Sequence, residues 1–230
     1  TKYMKKYLLS IALILLLSLE INAHVGHYSK YNYLEYELFR NNKLIGYHKY
    51  DFQRKGDDLV INNEVSFKIT KLGIDLYNYY AKGVEKYNNG IFSGFNSKTN
   101  QNKKEKYVNI TVDPNDKNLI IDGSSFQGTV NKDIIIGTWW NHEIVQKKAQ
   151  ISAVSGRIIE QKVEFIGKEE IIIGDKTYKT LRFNFSSSDP SLSKDKKLNT
   201  DIWYEEGTYL WVKAAFDKTG YWEYRLKKVK

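Results

Sequence analysis

The chain has 230 residues, with 36 Lys and Arg against 27 Asp and Glu, a formal charge of +9, two prolines and no cysteine. The missing cysteine excludes a lipoprotein signal, which needs a thiol to acylate, and excludes disulfide staples. The positive charge is almost all lysine, with few of the bidentate arginine readers that nucleic-acid recognition uses, so no nucleic-acid partner is expected.

In chain order, Lys2, Lys5 and Lys6 precede an apolar run from Leu8 to Leu19, and Ala23 follows at a plausible cleavage point. That is the layout of a secretory signal peptide over residues 1–23. The apolar run is shorter than the ~20 residues needed to cross a bilayer, so no stable membrane span is expected after cleavage. An exported, cysteine-free chain fits a bacterial envelope, so the expected location is the periplasm or the exterior. Residues 24–230 are then read as a single antiparallel β domain; nothing in them indicates an oligomeric state. His24 and His27 would lie near a freed amino terminus and offer weak copper chelation. No other metal-ligand spacing occurs, and neither a metal nor a cofactor is expected.

From Tyr31 to Arg40, Leu34, Tyr36 and Leu38 alternate with Glu35 and Glu37, the pattern of a half-buried strand. Asn41-Asn42 supplies a turn, because Asn tolerates positive φ. The return strand runs from Leu44 to Arg54, with His48, Tyr50 and Phe52 on one face. Further alternating runs follow at 59–69, 74–87, 91–99, 107–112 and 119–121. They are separated by Lys55-Gly56-Asp57-Asp58, Asn88-Asn89-Gly90 and Asp113-Pro114-Asn115-Asp116. Gly123 to Gly128 reads as loop, and Ile134-Ile135-Ile136 as a short buried run. The segment Gly137-Thr138-Trp139-Trp140-Asn141-His142 opens the best helix candidate, over 139–149, with Thr138 or Asn141 as N-cap. Strands are then expected at 157–167, 169–173, 178–186, 201–205, 209–216 and 221–226, with a polar loop from Ser186 to Thr200. The fold class is mainly β: a large antiparallel curled sheet or barrel of about 11–12 strands with one short helix packed on it.

The candidate site residues are aromatic or titratable and share predicted inward faces or flank the helix. They are His48, Tyr50, Tyr77, Tyr79, Glu85, Trp139, Trp140, Asn141, His142 and Trp203. Histidines and carboxylates in such places usually satisfy a core, and aromatics usually fill one. The same side chains also suit an amphipathic cavity. No nucleophile elbow, phosphate loop or dinucleotide fingerprint occurs, so no catalytic residue is assigned.

A family resemblance follows from the order of short motifs. Tyr36-Glu37-Leu38, Leu44-Ile45-Gly46-x-His48-x-Tyr50-x-Phe52 and Tyr77-x-Tyr79 come first. Glu85-x-Tyr87-x-Asn89-Gly90, Thr99-Asn100, Trp140-Asn141 and Asp201-x-Trp203-Tyr204 complete it. This order resembles a family of exported bacterial mainly-β proteins of unknown function, and departs from it after Trp140-Asn141. The resemblance implies a mainly β exported domain and carries no activity. A looser likeness to periplasmic lipoprotein carriers and lipocalin-like barrels is one of fold only. The function expected is non-enzymatic binding or carriage of a lipid or other amphipathic small molecule. The alternatives are an envelope enzyme or glycan binder using His48, Glu85 and Trp139–His142, and a structural envelope subunit.

Overall fold

The computed structural model describes residues 28–115 and 118–230. Residues 1–23, read above as a signal peptide, and His24 and His27 lie outside the described residues. Fifteen strands form one sheet. Their ranges are β1 Tyr33–Arg40, β2 Lys43–Lys55, β3 Asp58–Lys71, β4 Ile74–Asn88, β5 Ile91–Gln101, β6 Lys104–Val112, β7 Leu119–Gly123 and β8 Gln127–Val130. After them come β9 Ile135–Ile136, β10 Ala149–Ile151, β11 Ile158–Ile173, β12 Lys176–Ser187, β13 Asn199–Glu205, β14 Trp211–Asp217 and β15 Tyr221–Val229.

The mainly β, curled, antiparallel architecture read from alternation is what the chain adopts. Two local details differ. The strand count is higher because the loop-like stretch around Gly128 forms β8, the Ile134–Ile136 run forms β9, and Ala149–Ile151, placed in the predicted helix, is β10. Conversely, 157–167 and 169–173 are one strand, bent at a bulge between Phe165 and Gly167. The predicted helix shortens to a 3-10 turn, His142–Gln146. Its start is capped by the Asn141 side chain, which accepts from the Glu143 N–H at 3.1 Å. At its end the Gln161 amide donates to the Ile144 and Lys147 carbonyls, each at 3.0 Å. With those carbonyls taken and β10 starting at Ala149, no room is left for another helical turn.

The strand order runs β8 to β1 in reverse sequence, then β15 back to β9. Every neighbouring pair is antiparallel except β9 with β10. The two edges, β8 and β9, are consecutive in the chain. Laid flat, a sheet of this size would be ~67 Å wide at ~4.8 Å per strand. Residues 131–134, which join the edges, reach across at most ~18 Å. The sheet must therefore curl until its edges nearly meet, although no hydrogen-bond ladder closes it. Both edge strands are short, which limits the unpaired backbone left for aggregation.

The segment between β9 and β11 crosses the concave side and fastens onto the opposite wall. Ser97 Oγ donates to the Ala153 carbonyl at 2.5 Å, and the Ser125 N–H to the Ser155 carbonyl at 2.9 Å. Gly123 permits this approach, because a Cβ there would sit 2.5 Å from the Ser155 oxygen. Two apolar clusters result. The larger surrounds Tyr28, Tyr36, Trp140, Tyr204 and Trp211. The smaller joins Phe95, Val108, Ile110 and Ile121 to Ile136 and Ile151.

Buried tyrosines explain how an irregular interior remains satisfied. Tyr36 donates its hydroxyl to the Trp211 carbonyl at 2.8 Å, and Tyr204 donates to the Trp139 carbonyl at 2.8 Å. Tyr28 donates to the Tyr209 carbonyl at 3.1 Å and accepts from the Trp211 N–H at 2.8 Å. Each phenol fills apolar volume and supplies the polar partner that a bulged or looped backbone lacks.

Candidate functional site

Strand alternation sends His48 and Tyr50 of β2, Val65 and Phe67 of β3, Tyr77, Tyr79 and Ala81 of β4, and Thr99 of β5 to the concave face. The wrap of the sheet brings Phe216, Trp222 and Tyr224 from the other end of the chain opposite them. Between these walls is a cavity of about 720 Å³, floored by Gly137, Thr138 and Trp139. Its lining is chiefly aromatic and aliphatic. Phe67 stacks between Tyr79 at 4.7 Å and Tyr77 at 6.0 Å, and meets Trp222 edge-on at 5.2 Å. Gly46 makes the Phe67 position possible, because a Cβ there would come within 2.6 Å of Phe67 Cα. Polar groups are few: Asn63, Ser97, Thr99 and Gln101 on the wall, and Arg40 and Lys218 at the mouth. The lining contains no carboxylate.

His48 sits deep in this cavity. Its ring stacks on Tyr50 at 4.3 Å and meets Tyr224 and Trp211 edge-on at 6.0 and 6.2 Å. Its Nδ1 has no hydrogen-bond partner among the described residues. The imidazole keeps some surface toward the cavity yet is packed round with apolar atoms, and this desolvation pulls its pKa from 6.5 down to about 3. It is therefore a neutral imidazole, one of whose nitrogens lacks a protein partner.

Glu85 is built differently. It is fully buried and accepts from the Tyr87 hydroxyl at 2.6 Å, the Trp140 indole N–H at 3.0 Å and the Thr138 hydroxyl at 3.3 Å. Burial raises its pKa and the three hydrogen bonds oppose the rise. Asn141 extends the network by donating to the Tyr87 hydroxyl at 3.5 Å. The carboxyl thus ties the 138–141 segment to β4. It also faces a second, smaller cavity of about 430 Å³ on the far side of that segment, where Asn141 joins it.

The sequence candidates separate accordingly. His48, Tyr50, Tyr77, Tyr79 and Trp139 meet in the large cavity. Glu85, Trp140 and Asn141 form the buried network beside the smaller one. His142 is buried against Tyr209, with rings 4.4 Å apart. Trp203 lies on the convex face, its indole N–H bonded to Glu169 and its ring flanked by Arg182 at 4.8 Å and Lys213 at 4.9 Å. No hydrogen bond joins His48 to Glu85 or His142. Alternation would also have pointed to Asn63, Val65 and Phe67. Trp222, Tyr224, Arg40 and Lys218 carry no such signal, because only the pairing of β15 with β1 brings them to the mouth.

Residues 36–227 match the model of a family described as a domain of unknown function, DUF6134. The chain belongs to that family. Among solved structures, a beta-barrel-like protein of domain of unknown function DUF1849 from Brucella abortus is similar at 11% identity and a TM-score of 0.57. The match covers 86% of this chain and 96% of that one. At that identity the likeness shows the shared fold and nothing of ligand or activity. No curated protein matches the chain. The resemblance to a mainly β family of unknown function therefore stands. Among the described residues, no group of three or more His, Asp or Glu could hold a metal ion, and no helix is long and apolar enough to cross a membrane.

Proposed function

We propose that this DUF6134 member binds an amphipathic small molecule, such as a lipid, with its apolar part in the large cavity. The observation that carries the reading is the cavity itself. At about 720 Å³ it has the size and character of ligand sites, which are mostly apolar with a few placed polar groups. The His48 ring, which keeps some surface toward the cavity, adds a polar edge deep inside, and the aromatic walls suit an acyl or ring system. Binding requires no chemical step, and the separation of Glu85 and His142 from His48 favours a binding role over a catalytic one. Export to the bacterial envelope belongs to the same proposal. It is supported by the order of basic, apolar and small residues over 2–23.

The test is native mass spectrometry of gently purified protein, followed by titration of the emptied protein with a lysophospholipid while tryptophan emission is followed. Saturable one-to-one binding that Ala81→Phe abolishes, with folding intact, is the expected result. An empty protein whose emission shows no saturable response overturns the proposal.

A further inference from the structure

The hairpin turns at the two ends of the sheet differ in charge. In an antiparallel meander alternate turns lie at the same end, so β1–β2, β3–β4 and β5–β6 share one end. The pairing of Arg40 with Trp222 brings the β14–β15 turn to that end as well. These four turns carry Arg40, Lys43, Lys71, Lys103, Lys104 and Lys218 against Asp217, and the β12–β13 loop at the same end adds Lys194, Lys196 and Lys197 against Asp189 and Asp195. Close behind the tips, Asp75 is paired to Lys68 at 2.8 Å and Glu105 accepts from Asn100. The turns at the opposite end carry Asp57, Asp58, Asp113, Asp133, Asp175, Glu205 and Glu206 against Lys55, Lys132 and Lys176, with Glu206 paired to Lys168. The cavity mouth, marked by Arg40, Gln101, Lys218 and Leu76, opens at the basic end.

The same end bears an exposed apolar tip. Leu72 is 93% exposed, Ile74 65%, Leu76 53% and Leu44 52%. Ile91 and Ile172 also project from the molecule, but singly and at the acidic end. Among the two-residue hairpin turns Leu72 is the exception, although Tyr209 and Thr219 also hold positive φ elsewhere. Four hairpin turns have positive φ at both central residues: Asn41-Asn42, Leu72-Gly73, Asn89-Gly90 and Asn102-Lys103. In three of them Asn takes the first position, where its short polar side chain tolerates the left-handed region. In the fourth, a branched apolar residue takes the strained position and makes no packing contact that would compensate. Local strain retained without a structural return points to use at the surface.

We propose that the basic end docks on an anionic lipid bilayer, with Leu72 and Ile74 entering the interface and the surrounding lysines at headgroup level. The occupant follows from the combination. Lysines such as Lys43, Lys71, Lys103 and Lys104, which form no ion pair among the described residues, attract anionic headgroups, and an apolar tip within the basic ring matches a bilayer's layered polarity. The docking reading extends the cavity reading, since it puts the mouth against a source of amphiphile. It is tested separately from it.

The experiment is flotation of the full chain with vesicles of phosphatidylcholine alone or mixed with phosphatidylglycerol, at low and high salt. Binding is expected to the anionic vesicles only and to weaken with salt. Lys71→Glu should reduce it roughly fivefold or more, at about 1 kcal/mol per cation near the surface. Leu72→Asn should reduce it while raising the melting temperature, which separates docking from misfolding. Ile172→Asn, at the acidic end, should leave it unchanged. Failure to float, equal binding to neutral vesicles, or wild-type binding by both Lys71→Glu and Leu72→Asn overturns the docking proposal. Occupancy of the cavity by native mass spectrometry reads the other proposal independently.

Discussion

On the wall formed by β12 to β15 and β1, the inward positions carry Phe185, Ile202, Tyr204, Trp211 and Tyr36, and this part of the interior is solid. On β3 to β5 the positions facing the cavity carry Val65, Ala81, Ser97 and Thr99 between the aromatics Phe67, Tyr77 and Tyr79, and there the interior is hollow. Both walls obey the same period of two. They differ in side-chain volume, and a curled sheet cannot flatten locally to take up the slack. The small residues Val65, Ala81, Ser97 and Thr99 therefore leave space, and the aromatics that flank them on both walls, Phe67, Tyr79, Trp222 and Tyr224, keep the sheet from collapsing into it. The comparison teaches that binary pattern sets the face, while residue size along that face decides whether it becomes core or site.

The largest expected effect comes from breaking the solid wall. Trp211 is fully buried and stacks on Tyr36 at 3.9 Å. Trp211→Ala should cost about 3–5 kcal/mol, read as a fall in the denaturant midpoint. The same truncation at Trp222, on the cavity rim, should cost clearly less, and equal losses would contradict the comparison.

Next in size is the pH dependence set by the two buried titratable groups, which act in opposite directions. Glu85 has a folded pKa raised by burial. The folded state therefore holds its proton more tightly than the unfolded chain does. Its contribution is full below the ordinary carboxylate value and is lost as pH rises from there through the raised folded value. His48 has its folded pKa lowered to about 3, so its contribution is present above 6.5 and lost as pH falls toward that value. Unfolding midpoints between pH 4 and 8 should accordingly lose their high-pH decline in Glu85→Gln and their low-pH decline in His48→Phe. Unchanged profiles would mean that neither group is desolvated in solution.

Filling the hollow wall should be nearly neutral for folding. Ala81→Leu adds volume where space exists and should change stability by less than ~1.5 kcal/mol, while weakening any amphiphile the cavity holds. A large destabilisation would mean that the wall is packed. Smallest of all is Leu72→Asn at the exposed tip. Relief of the left-handed strain should stabilise the hairpin by about 1 kcal/mol, measured as a small rise in melting temperature.

Several of these features were legible before any tertiary contact was known. Alternation placed His48, Tyr50, Tyr77, Tyr79 and Glu85 on inward faces, and the Asn and Gly turns placed the hairpins. The helix expected over 139–149 shows the limit. Trp140, Ile144 and Val145 have helical spacing, yet Gln161 of a neighbouring strand takes the Ile144 and Lys147 carbonyls that would have continued a helix. Trp203 shows a second limit. Its neighbours Ile202 and Tyr204 face inward, so period two sends it outward, where Arg182 and Lys213 shelter the ring.

Local chemistry therefore accounts for most of the strands and their turns, while the curl follows only once β1 pairs with β15 and leaves β8 and β9 as edges joined by a short link. The cavity, its mouth and its charge were decided by the fold as a whole. Arg40, Lys218, Trp222 and Tyr224 meet Phe67 and Tyr79 only because β15 pairs with β1 across almost the full length of the chain. Such a pairing is a long-range event, set by which sheet edge remains unpaired when the meander ends, and no window of neighbouring residues encodes it.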